Sequence, residues 1–283
     1  MTDGSRPRQV AVAGAFDDLR ARQIRFLEEA ARLGEVTALV WTDELARRIE
    51  GARPKFPEAE RAYFLRAIRF VRQVVPVAEA DWGGSVVDAA ARKAGARLDF
   101  LVVNEADDSP ASRAECQARG MEYRVLHAED LCGFPDPAPV QRSPAPGRKK
   151  VLVTGCYDWV HSGHVRFFEE VSAYGDLYVV IGHDANLRLL KGPGHPLFPQ
   201  AERRYVVGAI RYVTQALVAT GDGWVDADPE IRRLKPDIYA VNEDGDRGGK
   251  REYCAELGIE YLVLKRAPAP GLPPRTSTDL RGF

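Results

Sequence analysis

Two histidines have a spacing that suits a site for an anion. His161 and His164 stand in the segment GCYDWVHSGH, after an apolar run and before a stretch with helical spacing. Residues three apart lie on one face of a helix, and the amides and dipole of a helix N-terminus favour an anion. Zinc is disfavoured, because no third ligand, HExxH pattern or cysteine pair accompanies them. The pattern therefore predicts an active-site turn that favours an anion.

The chain contains a second copy of this segment that lacks the histidines. Residues 10–34 match residues 151–175 at a constant offset, and later segments repeat in the same order. Arg20 and Gln23 stand where the second copy has its two histidines. Positions shared by the copies indicate scaffold, and positions kept in only one copy indicate chemistry.

Each copy has the pattern of an α/β unit that would position this turn. Short β-branched runs such as VLVTG and LYVVIG alternate with longer segments of helical spacing. Continuous apolar runs suit parallel strands buried on both faces. Such sheets bind ligands beyond the carboxyl ends of their strands. We therefore predict two tandem Rossmann-like domains with parallel sheets, over residues 8–132 and 150–283, joined by a Pro- and Ala-rich linker at 133–149.

The composition excludes several other classes of protein. The 283 residues are 45% hydrophobic and 29% charged, as in ordinary globular chains. The 40 basic and 41 acidic residues give a net charge of −1, which argues against a nucleic-acid partner. No apolar run approaches the ~20 residues of a membrane span, and no secretory signal is visible. With four cysteines and no Cys-x-x-Cys, we expect a cytoplasmic protein.

The order of motifs in residues 150–283 resembles that of the cytidylyltransferases, a nucleotidyltransferase family with an HxGH signature. After GCYDWVHSGH come KGP at 191–193, FPQAERRYVVGAIRYV at 198–213, NEDGD at 242–246 and RTSTDL at 275–280. These sequence motifs are most similar to those of ethanolamine-phosphate cytidylyltransferases, which are tandem duplications. The resemblance implies transfer of the nucleotidyl group of CTP to a small phosphorylated alcohol such as phosphoethanolamine, in phospholipid biosynthesis. It also implies Mg²⁺ bound with the nucleotide phosphates and no metal held directly by the protein.

The resemblance further implies roles for particular residues. His161 and His164 would hydrogen-bond the α-phosphate as protonated imidazoles while negative charge grows there. Lys191 and Arg266 would hold phosphates as the other catalytic residues. The implied nucleotide-binding residues are Gly155, Cys156, Tyr157, Asp158, Gly163, Arg203, Asn242, Asp244, Arg275, Thr276, Ser277 and Thr278.

The first copy lacks the residues that would handle phosphate. It keeps Asp17 and Arg61 as counterparts of Asp158 and Arg203, which favours a structural role for that pair. We therefore predict a folded, non-catalytic first unit that packs on the second as the partner subunit does in homodimeric relatives, with a pseudo-twofold relation. The protein would be a monomer with an internal pseudo-dimer, or a homodimer of it. The alternative is that the two halves bind different ligands.

Departures from the family pattern leave other functions open. A proline-rich insert separates Arg266 from Arg275, so either arginine could reach the phosphates. Asn242-Glu243-Asp244 stands where many relatives have a glycine, so the pattern does not fix the base. One alternative is an adenylyltransferase that uses ATP on a sugar phosphate or a flavin. Another is a non-catalytic nucleotide-binding protein.

Overall fold

The protein divides into two compact units, Met1–Gly133 and Phe134–Phe283, called unit one and unit two below. The structure is a computed structural model that describes residues 6–95, 97–136, 147–277 and 280. Each unit has a five-stranded parallel sheet with helices, which confirms the predicted α/β class. Much of the predicted linker, residues 137–146, lies outside the described residues. The pseudo-twofold relation between the units stays a prediction.

Unit one orders its strands β3-β2-β1-β4-β5. The strands are β1 (Gln9–Gly14), β2 (Glu35–Trp41), β3 (Val71–Val77), β4 (Phe100–Asn104) and β5 (Glu122–Leu126). The helices are α1 (Ala21–Ala31), α2 (Asp43–Glu50), α3 (Glu58–Ala67), α4 (Val86–Lys93) and α5 (Pro110–Ala118). Every pairing of neighbouring strands in this sheet is parallel.

Unit two repeats this arrangement with the order β10-β9-β6-β7-β8. The strands are β6 (Lys150–Gly155), β7 (Asp176–Ile181), β8 (Val213–Val218), β9 (Ile238–Asn242) and β10 (Glu260–Leu264). The helices are α6 (Ser162–Ser172), α7 (Asp184–Lys191), α8 (Gln200–Gly208), α9 (Asp228–Leu234) and α10 (Lys250–Glu256). The strand order reverses at β6, which lies between β7 and β9. Doubly wound sheets bind their ligands at such a switch point.

Apolar strand residues build a core on both faces of each sheet. Val151, Leu152 and Val153 are fully buried in β6. Consecutive residues of a strand point to opposite faces, so their joint burial shows that both faces are covered. Each such side chain stabilises the fold by about 1.5–3 kcal/mol. Within the described ranges, no helix combines the length and the apolarity that spanning a bilayer requires.

A close backbone approach explains one glycine that both copies keep. A Cβ on Gly175 would lie 2.1 Å from the carbonyl oxygen of Lys149, and a Cβ on Gly34 would lie 2.3 Å from that of Arg8. No side chain fits at such distances, so glycine lets the chain return from the first helix to the start of the sheet.

Candidate active site

A cavity of about 440 Å³ lies at the carboxyl ends of β6 and β9 in unit two. Its volume falls within the range of small-ligand sites, ~300–1,000 Å³. The cavity brings together most of the residues predicted from the sequence: His161, His164, Lys191, Arg266, Gly155, Cys156, Tyr157, Asp158, Gly163, Asn242, Asp244 and Ser277. It is also lined by residues that the sequence analysis did not assign to the site: Thr154, Trp159, Phe167, His195, Ala240, Val241, Gly245 and Lys250.

His161 caps the N-terminus of α6 with its own ring. Its Nδ1 accepts a hydrogen bond from the amide of Gly163 at 3.1 Å, so the imidazole carries its proton on Nε2. A Cβ at position 163 would lie 3.0 Å from that ring, and glycine therefore lets the turn close. The ring centres of His161 and His164 are 4.0 Å apart. The turn thus holds the two imidazoles side by side in the cavity wall.

The surroundings of His164 disfavour the charged form of its ring. Burial lowers its pKa well below the ordinary value of 6.5, the neighbouring His161 ring lowers it further, and the cations Arg266 and Lys191 also lower it. Its Nδ1 is buried and has no hydrogen-bond partner among the described residues, which leaves Nε2 for the cavity. These surroundings disfavour the protonated ring that the sequence analysis expected. The same cations attract phosphate.

Tyr157 packs between the end of β6 and the second histidine. Its backbone has φ +51°, a left-handed conformation that is uncommon outside glycine. A Cβ on Gly155 would lie 2.8 Å from the Tyr157 ring, and this ring meets His164 edge-on, with 5.3 Å between centres. Phe16 has the same conformation in unit one, with φ +50°. The turn conformation therefore belongs to the shared fold.

Asp158 holds the segment that leads to α8. Its carboxylate accepts hydrogen bonds from the amides of Leu197 at 2.7 Å and Phe198 at 3.0 Å. Asp17 accepts two backbone amides in the same way in unit one. Nδ1 of His195, a third histidine of the cavity wall, lies 3.8 Å from Oδ2 of Asp158. These shared contacts agree with the structural role that comparison of the copies favoured.

Of the two arginines left open by the sequence, Arg266 is the one in the cavity wall. Its guanidinium pairs with the carboxylate of Asp244 and donates a hydrogen bond to the carbonyl of Arg275 at 2.9 Å. Its amide donates to Oε1 of Glu243 at 3.2 Å. These contacts fix the residue that follows β10 beside the residues that follow β9.

The hydroxyl residues near the end of the chain are only partly in the site. Ser277 lines the cavity, and its Oγ donates to the carbonyl of Trp159 at 3.3 Å. Thr276 is not in the wall. Thr278 lies outside the described residues.

Arg203 does not line the cavity, contrary to the nucleotide-binding role that the resemblance implied and in agreement with the structural role that comparison of the copies favoured. Its side chain is buried and donates to the carbonyls of Cys156, Gly182 and Phe198 at 2.6 to 2.9 Å. It also pairs with Asp184 at 2.8 Å. Arg203 therefore positions the backbone that follows β6 and β7, and its donors face protein atoms.

We expect Arg203→Met to lower the free energy of unfolding by about 3–5 kcal/mol, because buried carbonyls and a carboxylate lose their hydrogen-bond donor. Arg61 makes the matching contacts in unit one, so Arg61→Met is the parallel variant. Urea unfolding followed by circular dichroism measures both losses. A loss below about 1 kcal/mol in either variant would contradict this structural role.

Unit one has the opposite charge where unit two has Lys191. Glu50 ends α2 as Lys191 ends α7. Burial raises the pKa of Glu50, and its carboxylate accepts a hydrogen bond from the amide of Ala15. Arg20, in the place of the first histidine, pairs with Asp18 at 3.1 Å. Unit one therefore presents an acid and an internal ion pair where unit two presents a cation and imidazoles.

The fold and the cavity together define a class of protein. A doubly wound parallel sheet carries, at its switch point, a turn with two imidazoles and two cations beside them. This combination is typical of proteins that bind the phosphates of nucleotides.

Comparison with known proteins identifies the family. Residues 152–270 match the family model described as cytidylyltransferase-like. The chain is 35% identical over 120 residues to an FAD synthase of Ferroglobus placidus. The aligned segment covers 41% of this chain and 75% of that protein. The chain is 29% identical over 135 residues to an FAD synthase of Methanocella paludicola, covering 47% and 93%. The chain belongs to the cytidylyltransferase-like family of nucleotidyltransferases.

A second group of relatives is longer than the matched part of this chain. The bifunctional protein HldE of Azorhizobium caulinodans is 32% identical over 160 residues, which is 56% of this chain. The match spans only 32% of that protein. The three relatives do not support the expected assignment to phospholipid biosynthesis.

Proposed function

We propose that the protein is an adenylyltransferase that transfers the AMP group of ATP to the phosphate of a small acceptor, a flavin or a sugar phosphate. The carrying observation is the histidine pair held with Lys191 and Arg266 in one cavity, in a chain related to FAD synthases. FAD is itself an AMP group joined to the phosphate of a flavin mononucleotide. The names of those relatives therefore favour ATP over CTP.

The proposed reaction is an in-line displacement. An oxygen of the acceptor phosphate forms a bond to the α-phosphorus, the bond from this phosphorus to the bridging oxygen breaks, and pyrophosphate leaves with the electron pair. Nε2–H of His161 and the ring of His164 donate hydrogen bonds to the α-phosphate and the bridging oxygen. Lys191 and Arg266 hold the outer phosphates and the acceptor phosphate. The chain thus supplies positioning and charge stabilisation, with no covalent intermediate.

The charge state of His164 fits this role. Bound phosphates oppose the positive fields of Lys191 and Arg266, which lower its pKa. Nucleotide binding therefore raises the pKa of the ring, so that it takes up a proton more readily as negative charge develops. The hydrogen bond then gains charge assistance in the transition state, where it lowers the barrier.

We expect Mg²⁺ to enter with the nucleotide. The described residues contain no cluster of three His, Cys, Asp or Glu side chains placed to hold a metal ion. In the cavity wall, Asp158 already accepts two amides and Asp244 pairs with Arg266. Mg²⁺ commonly binds through substrate phosphates with few protein ligands. When bound, it would neutralise charge on the leaving pyrophosphate.

Pyrophosphate release tests the proposal. The purified chain is given ATP or CTP with flavin mononucleotide, a sugar 1-phosphate, phosphoethanolamine or glycerol 3-phosphate, and the products are identified by mass spectrometry. We expect turnover with ATP and at least one of the first two acceptors, and none when the acceptor is omitted. Turnover with CTP and phosphoethanolamine alone would establish the cytidylyltransferase instead. Binding without turnover would indicate a nucleotide-binding protein.

A further inference from the structure

Lys250 lies in the cavity wall although it belongs to none of the segments that the phosphate chemistry uses. It begins α10 and follows Gly248 and Gly249, each with φ +71°. Such a conformation is unfavourable for residues with a side chain. This pair of glycines therefore sets the direction from which the lysine enters the cavity wall.

The ammonium of Lys250 has no carboxylate partner among the described residues. Its Nζ donates to the carbonyl of Gly245 at 2.9 Å and lies 5.8 Å from the centre of the Trp224 ring. Burial lowers its pKa, and the carboxylate of Asp246, which pairs with Arg251, opposes this shift only in part. Arg266, in the same wall, is paired with Asp244. Lys250 therefore keeps donor capacity that a ligand can use.

The two copies differ in both residues of this arrangement. Ser112 stands in unit one where Lys250 stands in unit two. Trp82 packs edge-on against Trp41, with 5.2 Å between ring centres. Its counterpart Trp224 is 56% exposed and donates from Nε1 to the carbonyl of Gly248. Of these two described tryptophans, Trp224, in the unit with the histidine pair, lies beside a lysine, whereas Trp82 packs on another tryptophan.

The wall beside Lys250 suits a flat, weakly polar group. Ala240 and Val241, at the end of β9, give this side of the cavity apolar atoms. Lys191 and the histidines follow β7 and β6, on the other side of the switch point. The β9 side therefore places the half-buried Lys250 ammonium beside apolar atoms, with the polar side chain of Asn242 at the strand end, and this mixture matches a heterocyclic ring better than a further phosphate.

We propose that Lys250 is a specificity-determining residue whose Nζ donates a hydrogen bond to a carbonyl oxygen or ring nitrogen of a bound heterocycle. The heterocycle is the base of the nucleotide or the ring system of a flavin acceptor, and this inference rests on the proposed function. Trp224 is the positioning residue, since it contacts both the ammonium and the glycine segment that carries it.

Steady-state kinetics of Lys250→Met test the proposal. We expect the KM of one substrate to rise about tenfold or more while kcat stays within about threefold, because a charged hydrogen bond to the ligand is lost. The substrate affected, ATP or the flavin, identifies the heterocycle. Arg251→Met is the matched control. Arg251 follows Lys250 in α10, lies over the ring of Tyr261 and is outside the cavity wall. Lys250→Arg keeps a cationic donor and should recover part of the KM.

A labelling experiment tests the site without turnover. Trace acetylation by acetic anhydride, followed by peptide mass spectrometry, measures the reactivity of Lys250 with and without ATP or flavin mononucleotide. We expect at least one ligand to slow acetylation of Lys250 about fivefold and to leave the exposed Lys235 unchanged. Equal labelling with and without both ligands would overturn the inference, as would unchanged KM values or a fall in kcat alone. An inactive wild-type protein whose Lys250 is protected would refute only the proposed reaction.

Discussion

Replacing His164 by alanine is expected to lower kcat by about 10²- to 10⁴-fold. This range is typical when a proton-transferring or charge-stabilising group is removed from a reacting centre. The melting temperature should change little, because two effects oppose each other. The variant loses the contact with the Tyr157 ring, and it also removes a buried Nδ1 that has no partner among the described residues.

The duplicated chain supplies the control for this variant. Gln23 occupies the position of the second histidine in unit one, where it is exposed and accepts one hydrogen bond from the amide of Arg20 at 3.2 Å. We expect Gln23→Ala to leave kcat unchanged. Pyrophosphate release and thermal melts are measured for both variants. A His164→Ala enzyme within about threefold of wild-type kcat would remove the catalytic assignment.

Reversing the charge at Lys191 is expected to lower kcat/KM by about 10²- to 10³-fold. Lys191→Glu introduces the residue type that unit one has at the same place, and an anion there repels the phosphates of both substrates. The change also removes one of the cations that lower the pKa of His164. We therefore expect the pKa of that ring to rise in the variant, which NMR titration of the imidazole measures.

The Glu50→Lys variant in unit one tests whether the effect of Lys191→Glu is specific to the cavity or follows from any change of charge. Glu50→Lys introduces a like-sized change of charge in the unit that lacks the histidine pair, so kcat/KM should stay within about twofold of wild type. Lys191→Met, tested beside Lys191→Glu, distinguishes loss of attraction from added repulsion. Equal losses from Lys191→Glu and Glu50→Lys would contradict a phosphate-binding role for Lys191 and would indicate a nonspecific effect of charge.

The fold could be predicted from the sequence because its strands bear a direct signature. Residues buried on both faces of a parallel sheet must be apolar in succession, and VLVTG and LYVVIG show this. The position of the histidine pair could also be predicted, since the local strand–turn–helix pattern fixes where it lies. The assignment of Lys191 and Arg266 to one site came from the family resemblance, and the structure brings them together because β7, β6, β9 and β10 are neighbours.

Features that depend on burial could not be predicted in this way. The retained counterpart Arg61 favoured a structural role for Arg203, but the sequence gives no measure of its burial or of how burial shifts the pKa of His164. His195 and Lys250 reach the cavity through loop geometry outside the recognised motifs. For Lys250, the available signal in the sequence was that the first copy has Ser112 at the corresponding position.

The contacts around Arg61 and Arg203 have a consequence for how the two halves could diverge. The same guanidinium holds the turn after the first strand in a unit with imidazoles and in one without them. Folding of this turn is therefore independent of the reaction, and mutations can erase or redesign the chemistry while the architecture persists. After such a duplication, one unit can change its site residues and acquire a new specificity while the other unit keeps the original site.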